Sequence, residues 1–267
     1  MKYLFSILVV VFLSAIATNA EGRFCSKENG YFVENLGQWD SPVRFRAQAP
    51  GLVAWITDTA LVFNFYSFDN SHLQNYLQND SAIKQLPIIN GQAVSMSWQR
   101  TGAISPTECH SPKSFERIGE YDSYFSYFSE DRSYSRAKAY EEIILRNAYD
   151  GISIRFYFDG QSLKYDFLLD KNADPNQIAL NFAGHESLEV LPDGSLAVGT
   201  SIGAVHFSQL AAYQIENLAN LNSYSDNATK NKKLEYCRFR MTGSSCVSFA
   251  VPEYSSRTPL VIDPVVW

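Results

Sequence analysis

The stretch LRNAYDGISIRFYFDGQSLKYDFLLDKNADPNQIALNF, Leu145 to Phe182, decides the fold class. Ile152, Ile154, Phe156 and Phe158 alternate with Ser153, Arg155 and Tyr157, a period of two that a half-buried strand requires. Asp159-Gly160 interrupts the alternation, and Leu163, Tyr165, Phe167 and Leu169 resume it. Both residue types tolerate positive φ, so the segment predicts a hairpin turning at Asp159-Gly160. Asp174-Pro175 predicts a further turn before a strand ending near Phe182.

Outward from this hairpin the chain repeats the same grammar. Strands are expected over Val43 to Ala49, Leu52 to Thr57 and Leu61 to Tyr66, and over Ala93 to Trp98 after an Asn90-Gly91 turn. More follow over Arg136 to Leu145, Leu188 to Leu191, Leu196 to Val198, Ala204 to Phe207, Ala211 to Ile215, Leu234 to Met241, Cys246 to Val251 and Leu260 to Val266. Between Ser67 and Asn90 the residues turn polar, with Leu73, Tyr76 and Leu77 at helical spacing, and a loop carrying a short helix is expected there. Many short strands with frequent turn residues predict an all-β protein, a large antiparallel β-sandwich. Arg46 to Leu52 with Leu61 to Phe65 echoes Arg146 to Ile152 with Leu163 to Phe167, and Ala93 to Trp98 then answers Ile178 to Phe182. This suggests two similar halves, 31–135 and 136–267, sharing one extended sandwich.

Composition bounds the compartment and excludes some partners. Met1 to Ala20 carries one charge, Lys2, then an apolar run from Tyr3 to Ala17, then small residues before Glu21, which is the layout of a secretory signal peptide. Cleavage near Ala20 leaves a domain over 21–267 outside the cytoplasm, secreted to the periplasm or cell surface, with no later run long and apolar enough to span a bilayer. The formal net charge of −6 becomes −7 without Lys2, a balance unsuited to nucleic acid. Aromatic residues make up 14% of the chain, a load that favours pleated, half-buried surfaces.

Four cysteines in an exported chain, Cys25, Cys109, Cys237 and Cys246, are disulfide candidates with three connectivities. One arrangement closes a local loop between Cys237 and Cys246 and leaves Cys25 for Cys109. Against it, a tight turn centred on Gly243-Ser244 sets Cys246 opposite Met241. No paired CxxC is present, so zinc is not expected.

The search for chemistry yields few groups. Tyr121, Tyr124 and Tyr127 in YDSYFSYFS form the densest aromatic run, and they are candidates for stacking on sugar rings; the plainer reading is an aromatic strand packed on the core. The histidines His72, His110, His185 and His206 lack ligand spacing, and no nucleophile elbow or phosphate loop occurs. Asp170 to Asp174 resembles the first half of a calcium loop, but Pro175 and Asn181 stand where glycine and glutamate belong. Asp122, Asp150, Asp166 and Asp263 supply carboxylates whose pairing for sugar chemistry depends on the fold. No catalytic residue, metal site or cofactor is expected.

Four motifs add a family. Phe32 to Gln38 (FVENLGQ), Asn147 to Ile152 leading to Leu163 to Phe167, Ala173 to Ile178, and Pro259 to Val265 resemble, in order, the N-terminal β domain found before SBBP-type β-propeller repeats in large exported proteins, many from gliding bacteria. The resemblance implies an exported, mostly β module at the cell surface, and it carries over no established catalytic residues. On that reading the expected partners are surface glycans or neighbouring surface proteins. Such a module is expected to serve a structural, adhesive or binding role. The alternative is a carbohydrate-active enzyme on a large β-sandwich, which requires two carboxylates about 5 to 10 Å apart in a cleft.

Overall fold

The computed structural model describes residues 30–49, 52–69, 88–98, 112–128, 133–208, 210–218, 232–234 and 236–264. The strands are β1 (Tyr31–Glu34), β2 (Phe45–Ala49), β3 (Leu52–Ile56), β4 (Ala60–Asp69), β5 (Ile88–Ser97), β6 (Ser114–Phe128), β7 (Ser133–Tyr149), β8 (Ile152–Asp159) and β9 (Ser162–Leu169). They continue as β10 (Leu180–Ala183), β11 (Ser187–Val190), β12 (Leu196–Thr200), β13 (Gly203–Phe207), β14 (Ala211–Gln214), β15 (Lys232–Leu234), β16 (Arg238–Met241), β17 (Cys246–Ala250) and β18 (Leu260–Asp263). Every strand pairing is antiparallel. Fifteen strands join one sheet that does not close into a barrel, and β11–β12–β13 form a second.

The long strand β7 explains how one sheet makes a two-layered body. A strand has two hydrogen-bonding edges, and β6 takes one of them from Ser114↔Arg146 to Phe128↔Ser133. The other edge is shared end to end: β8 pairs between Glu142 and Tyr149, and β1 pairs at Ala139 and Tyr140. Two arms therefore leave the same edge of β7. One runs β8-β9-β18-β14-β15, the other β1-β2-β3-β4-β5-β10-β17-β16. Their inner faces meet across the core, where Trp98 lies 5.9 Å from Phe156 and Phe167 lies 5.3 Å from Phe249, ring centre to ring centre. The small sheet inserts Phe207 between them, against Phe63, Tyr165 and Phe182 at 6.1, 6.4 and 5.9 Å. Each of these rings is 3% exposed or less, and sealing such a side chain contributes roughly 1.5–3 kcal/mol.

The expected alternation of the central hairpin holds: Ile152, Ile154, Phe156, Leu163, Tyr165, Phe167 and Leu169 are all buried in the main core. Its turn lies one residue further on. Asp159 pairs with Ser162, so Gly160-Gln161 form the two-residue loop, with φ +60° at Gly160 and no positive φ at Gln161. Positive φ at the first loop position alone is the II′ pattern, which places glycine there. Asn90-Gly91 is not a turn at all. The two residues lie inside β5, paired with Ser67 and Tyr66. A Cβ on Gly91 would stand 3.2 Å from the Phe65 carbonyl oxygen, so the close approach of two backbones is what calls for glycine. Part of the helix-bearing insertion at 67–90 is strand as well, since β4 and β5 pair out to Asp69↔Ile88; residues 70–87 lie outside the described residues. Pro175–Gln177 form a 3-10 turn, capped by Asp174 as the Asp-Pro pair predicts.

The echoed segments become meanders on either side of β1: β2-β3-β4 on one side, β7-β8-β9 on the other. Ala93 to Trp98 does not stand in a position equivalent to Ile178 to Phe182. The two are neighbours, with Ser97 opposite Asn181 and Met96 opposite Phe182. Met1 to Ala20 lies outside the described residues, and among those described no helix is long and apolar enough to cross a membrane.

Candidate functional site

Two outward surfaces concentrate the polar and aromatic chemistry, one on each arm. On the arm of β8 and β9, residues pointing away from the core form a buried ladder. Arg155 on β8 stands directly across from Asp166 on β9, and Asp263 on β18 follows as the next cross-strand neighbour after Ile262↔Phe167. Arg155 donates to Glu142 of β7 at 2.7 Å, lies 3.6 Å from Asp166, and places its guanidinium carbon 4.2 Å from the centre of the Tyr157 ring. Beside them Ile144, Leu168, Ile215 and Val261 form an apolar cluster that seals the ladder from water. Glu142, Arg155, Asp166 and Asp263 are all less than a tenth exposed.

Of the four aspartates that could supply paired carboxylates, the fold thus brings two together. Asp166 and Asp263 are buried cross-strand neighbours on β9 and β18. Burial pushes Asp263 above the ordinary carboxyl range, against the opposing pull of Lys164, the Asp166 hydrogen bond and Arg155. Asp122 and Asp150 are exposed and stand apart from this pair.

The other sequence candidates disperse. Cys237 and Cys246 occupy opposite ends of the β16–β17 hairpin. Met241 pairs with Val247 and the Thr242 amide donates to the Cys246 carbonyl, so the loop holds three residues, 243–245, and Cys246 faces Thr242 rather than Met241. Cys237 lies past the far end of that ladder, roughly 16 Å away at ~3.3 Å per residue, too far for a disulfide. Both thiols are free, and burial pushes that of Cys237 up to about 12. Cys25 and Cys109 lie outside the described residues, as do His72 and His110. Among the described residues no three His, Cys, Asp or Glu side chains gather to hold a metal ion. In the calcium-like loop, the Asp174 carboxylate is committed to capping, accepting from the backbone and side-chain nitrogens of Asn176 at 2.9 Å each.

The tyrosine run divides. Tyr121 and Tyr127 are buried at 9% and 4%, packed with Tyr31, Val33, Ala137 and Ala139, while Tyr124 is 55% exposed. A break in register between Glu120 and Tyr124 separates them. The three rings therefore do not form one stacking surface, and the packed reading describes Tyr121 and Tyr127.

An aromatic surface forms beside this cluster from residues outside that run. Trp39 meets Trp55 edge-on at 5.3 Å and 76°, and meets Tyr127 at 5.3 Å and 72°. The Arg46 guanidinium carbon lies 5.9 Å from the Trp39 ring centre and 5.5 Å from that of Trp55. Arg46 and Trp55 are opposite partners on β2 and β3. Phe45, Ala47 and Ala49 face the core, so Arg46 faces out. The β2–β3 alternation contains that signal, but it singles out neither residue until Trp39 arrives. Trp39 is delivered by the FVENLGQ motif, which acts as a self-pinned loop. The Asn35 side chain donates to the carbonyls of Trp39 and Val43 at 2.9 and 2.8 Å, and accepts from the amides of Gly37 and Trp39 at 2.9 and 3.2 Å. Gln38 accepts from Leu36 and donates to the Glu34 carbonyl, both at 2.7 Å. Gly37 takes φ +109°, a conformation only glycine adopts without strain.

Residues 32–265 match the model of a family described as a domain of unknown function. No curated protein and no solved structure matches the chain.

Proposed function

From a chain that belongs to the DUF7948 family, we propose a non-catalytic, exported module with a structural and binding role at the bacterial cell surface. The observation that carries this reading is the state of the two aspartates. Glycoside hydrolysis needs two carboxyl groups about 5 to 10 Å apart with a sugar between them. Asp166 and Asp263 instead are cross-strand neighbours at 0% and 8% exposure, with Arg155 3.6 Å from Asp166. Carboxyl groups buried side by side in this way suit a role inside the sheet better than contact with a substrate. The apolar leader at Met1 to Ala20 and the four ordered motifs resembling domains that precede SBBP-type repeats of gliding bacteria support export and a surface location.

The enzyme reading draws on the same pair, since two neighbouring carboxyl groups are also the arrangement of acid–base catalysis in other settings. A hydrolysis screen over a glycan panel separates the two. Binding without turnover is the expected result; turnover that Asp166→Asn abolishes in a folded protein would establish the enzyme.

A further inference from the structure

We propose that the corner made by Trp39, Arg46 and Trp55 is a binding site for a carboxylated saccharide, a uronic acid residue of an acidic polysaccharide. This deepens the binding role above and rests on it. The first ground is the unanswered charge of Arg46. The neighbouring Arg44 pairs with Asp58 at 2.8 Å, and Arg117, Arg146 and Arg155 each hold a carboxylate. Arg46 is half-buried, and among the described residues no carboxylate pairs with it. A guanidinium offers five N–H donors. The Arg46 Nε is sealed without a hydrogen-bond partner. A cation held among aromatic rings lacks the water it would otherwise keep, so an arriving carboxylate gains a charge-assisted, two-pronged bond there.

The second ground is shape. Trp39 and Trp55 stand nearly perpendicular, with the guanidinium near both rings. A pyranose ring presents C–H faces that pack on indole, and its hydroxyls point outward. A uronate laid on one indole and walled by the other directs its ring carboxylate towards Arg46. A neutral sugar fills the same corner but leaves the cation unmatched. A polyphosphate or nucleic acid needs several cations, and the chain is net acidic.

The third ground is preorganisation. Asn35 and Gln38 hold the loop carrying Trp39 through six hydrogen bonds before any ligand arrives. Little ordering is left to be done on binding, which favours affinity in a small site.

The test is calorimetric titration of the full exported chain with oligogalacturonate and oligoalginate, against neutral gluco-oligosaccharides of equal length. Uronates should bind at least about tenfold more tightly than neutral oligomers, and more weakly as salt rises. Arg46→Gln should remove that preference with the thermal midpoint little changed, while Arg44→Gln leaves it intact. Arg46→Lys keeps charge but not the fork, so an intermediate affinity supports the site even if the glutamine variant folds poorly. Equal binding of neutral and acidic oligomers, no binding of uronates, or an Arg46→Lys affinity equal to the parent would overturn the site. Hydrolysis of the uronate during titration would instead overturn the non-catalytic reading and leave the site standing, provided Arg46→Gln still abolishes the preference.

Discussion

Arg155 and Arg46 lie on different arms, each within a strand and turned away from the core, yet their surroundings are opposite. Arg155 is buried against Glu142, Asp166 and the Tyr157 ring. Arg46 is half-buried against Trp39 and Trp55, with no carboxylate partner among the described residues. The first arginine is internally neutralised, which suits a group that joins β7, β8 and β9. The second keeps its charge for something outside the chain. Residue type and alternation are the same in both, so the role is decided by which loop or strand arrives alongside.

The largest expected effect comes from breaking the neutralised side. Arg155→Met preserves volume but leaves Glu142 and Asp166 sealed without their cation, and should cost about 3–5 kcal/mol in denaturant unfolding. The double change Arg155→Met with Glu142→Gln should recover part of that loss, because it removes one of the stranded charges.

A smaller effect concerns pH. Folding raises Asp263 above its ordinary value of 3.8, so the folded state holds a proton that the unfolded state releases. The stabilisation tied to that proton is complete below about 3.8 and declines as pH rises through the folded value. Every tenfold weakening of the acid on folding corresponds to about 1.4 kcal/mol. Asp263→Asn keeps the shape and should flatten this dependence, making the protein more stable than the parent at neutral pH in urea titrations across that range. A parent stability that climbs steadily from pH 4 to 7 and an unaltered slope in the variant would exclude a raised Asp263.

The smallest effect belongs to the open side. Arg46→Gln loses stacking on two indoles, worth about 0.5–1 kcal/mol, so its unfolding midpoint should move little. A loss as large as that of Arg155→Met would erase the contrast and make Arg46 a structural rivet.

Much of the fold was legible. Ile152 to Leu169 alternates because one face of each strand must be buried, and that need is written locally. Gly160 and Asp174 mark turns for equally local reasons, positive φ and capping. Asn90-Gly91 misleads because the same dipeptide that favours a turn is tolerated where two backbones approach, and only the partner strand β4 distinguishes the cases. Of the site, Asp166 and Asp263 were visible as carboxylates, but 97 positions apart in number they meet only because β18 lies beside β9. Trp39, Arg46 and Trp55 carried no motif of their own.

The sequence by itself determined that this is an all-β chain and where most of its strands run. Those outcomes rest on side-chain periodicity and on backbone preferences acting over a few residues. Only the tertiary structure decided that β1 and β8 share one edge of β7, that two aspartates become buried neighbours, and that two tryptophans flank an arginine. These depend on which strands become neighbours, a choice made by the summed packing of the whole core, so no short stretch contains it.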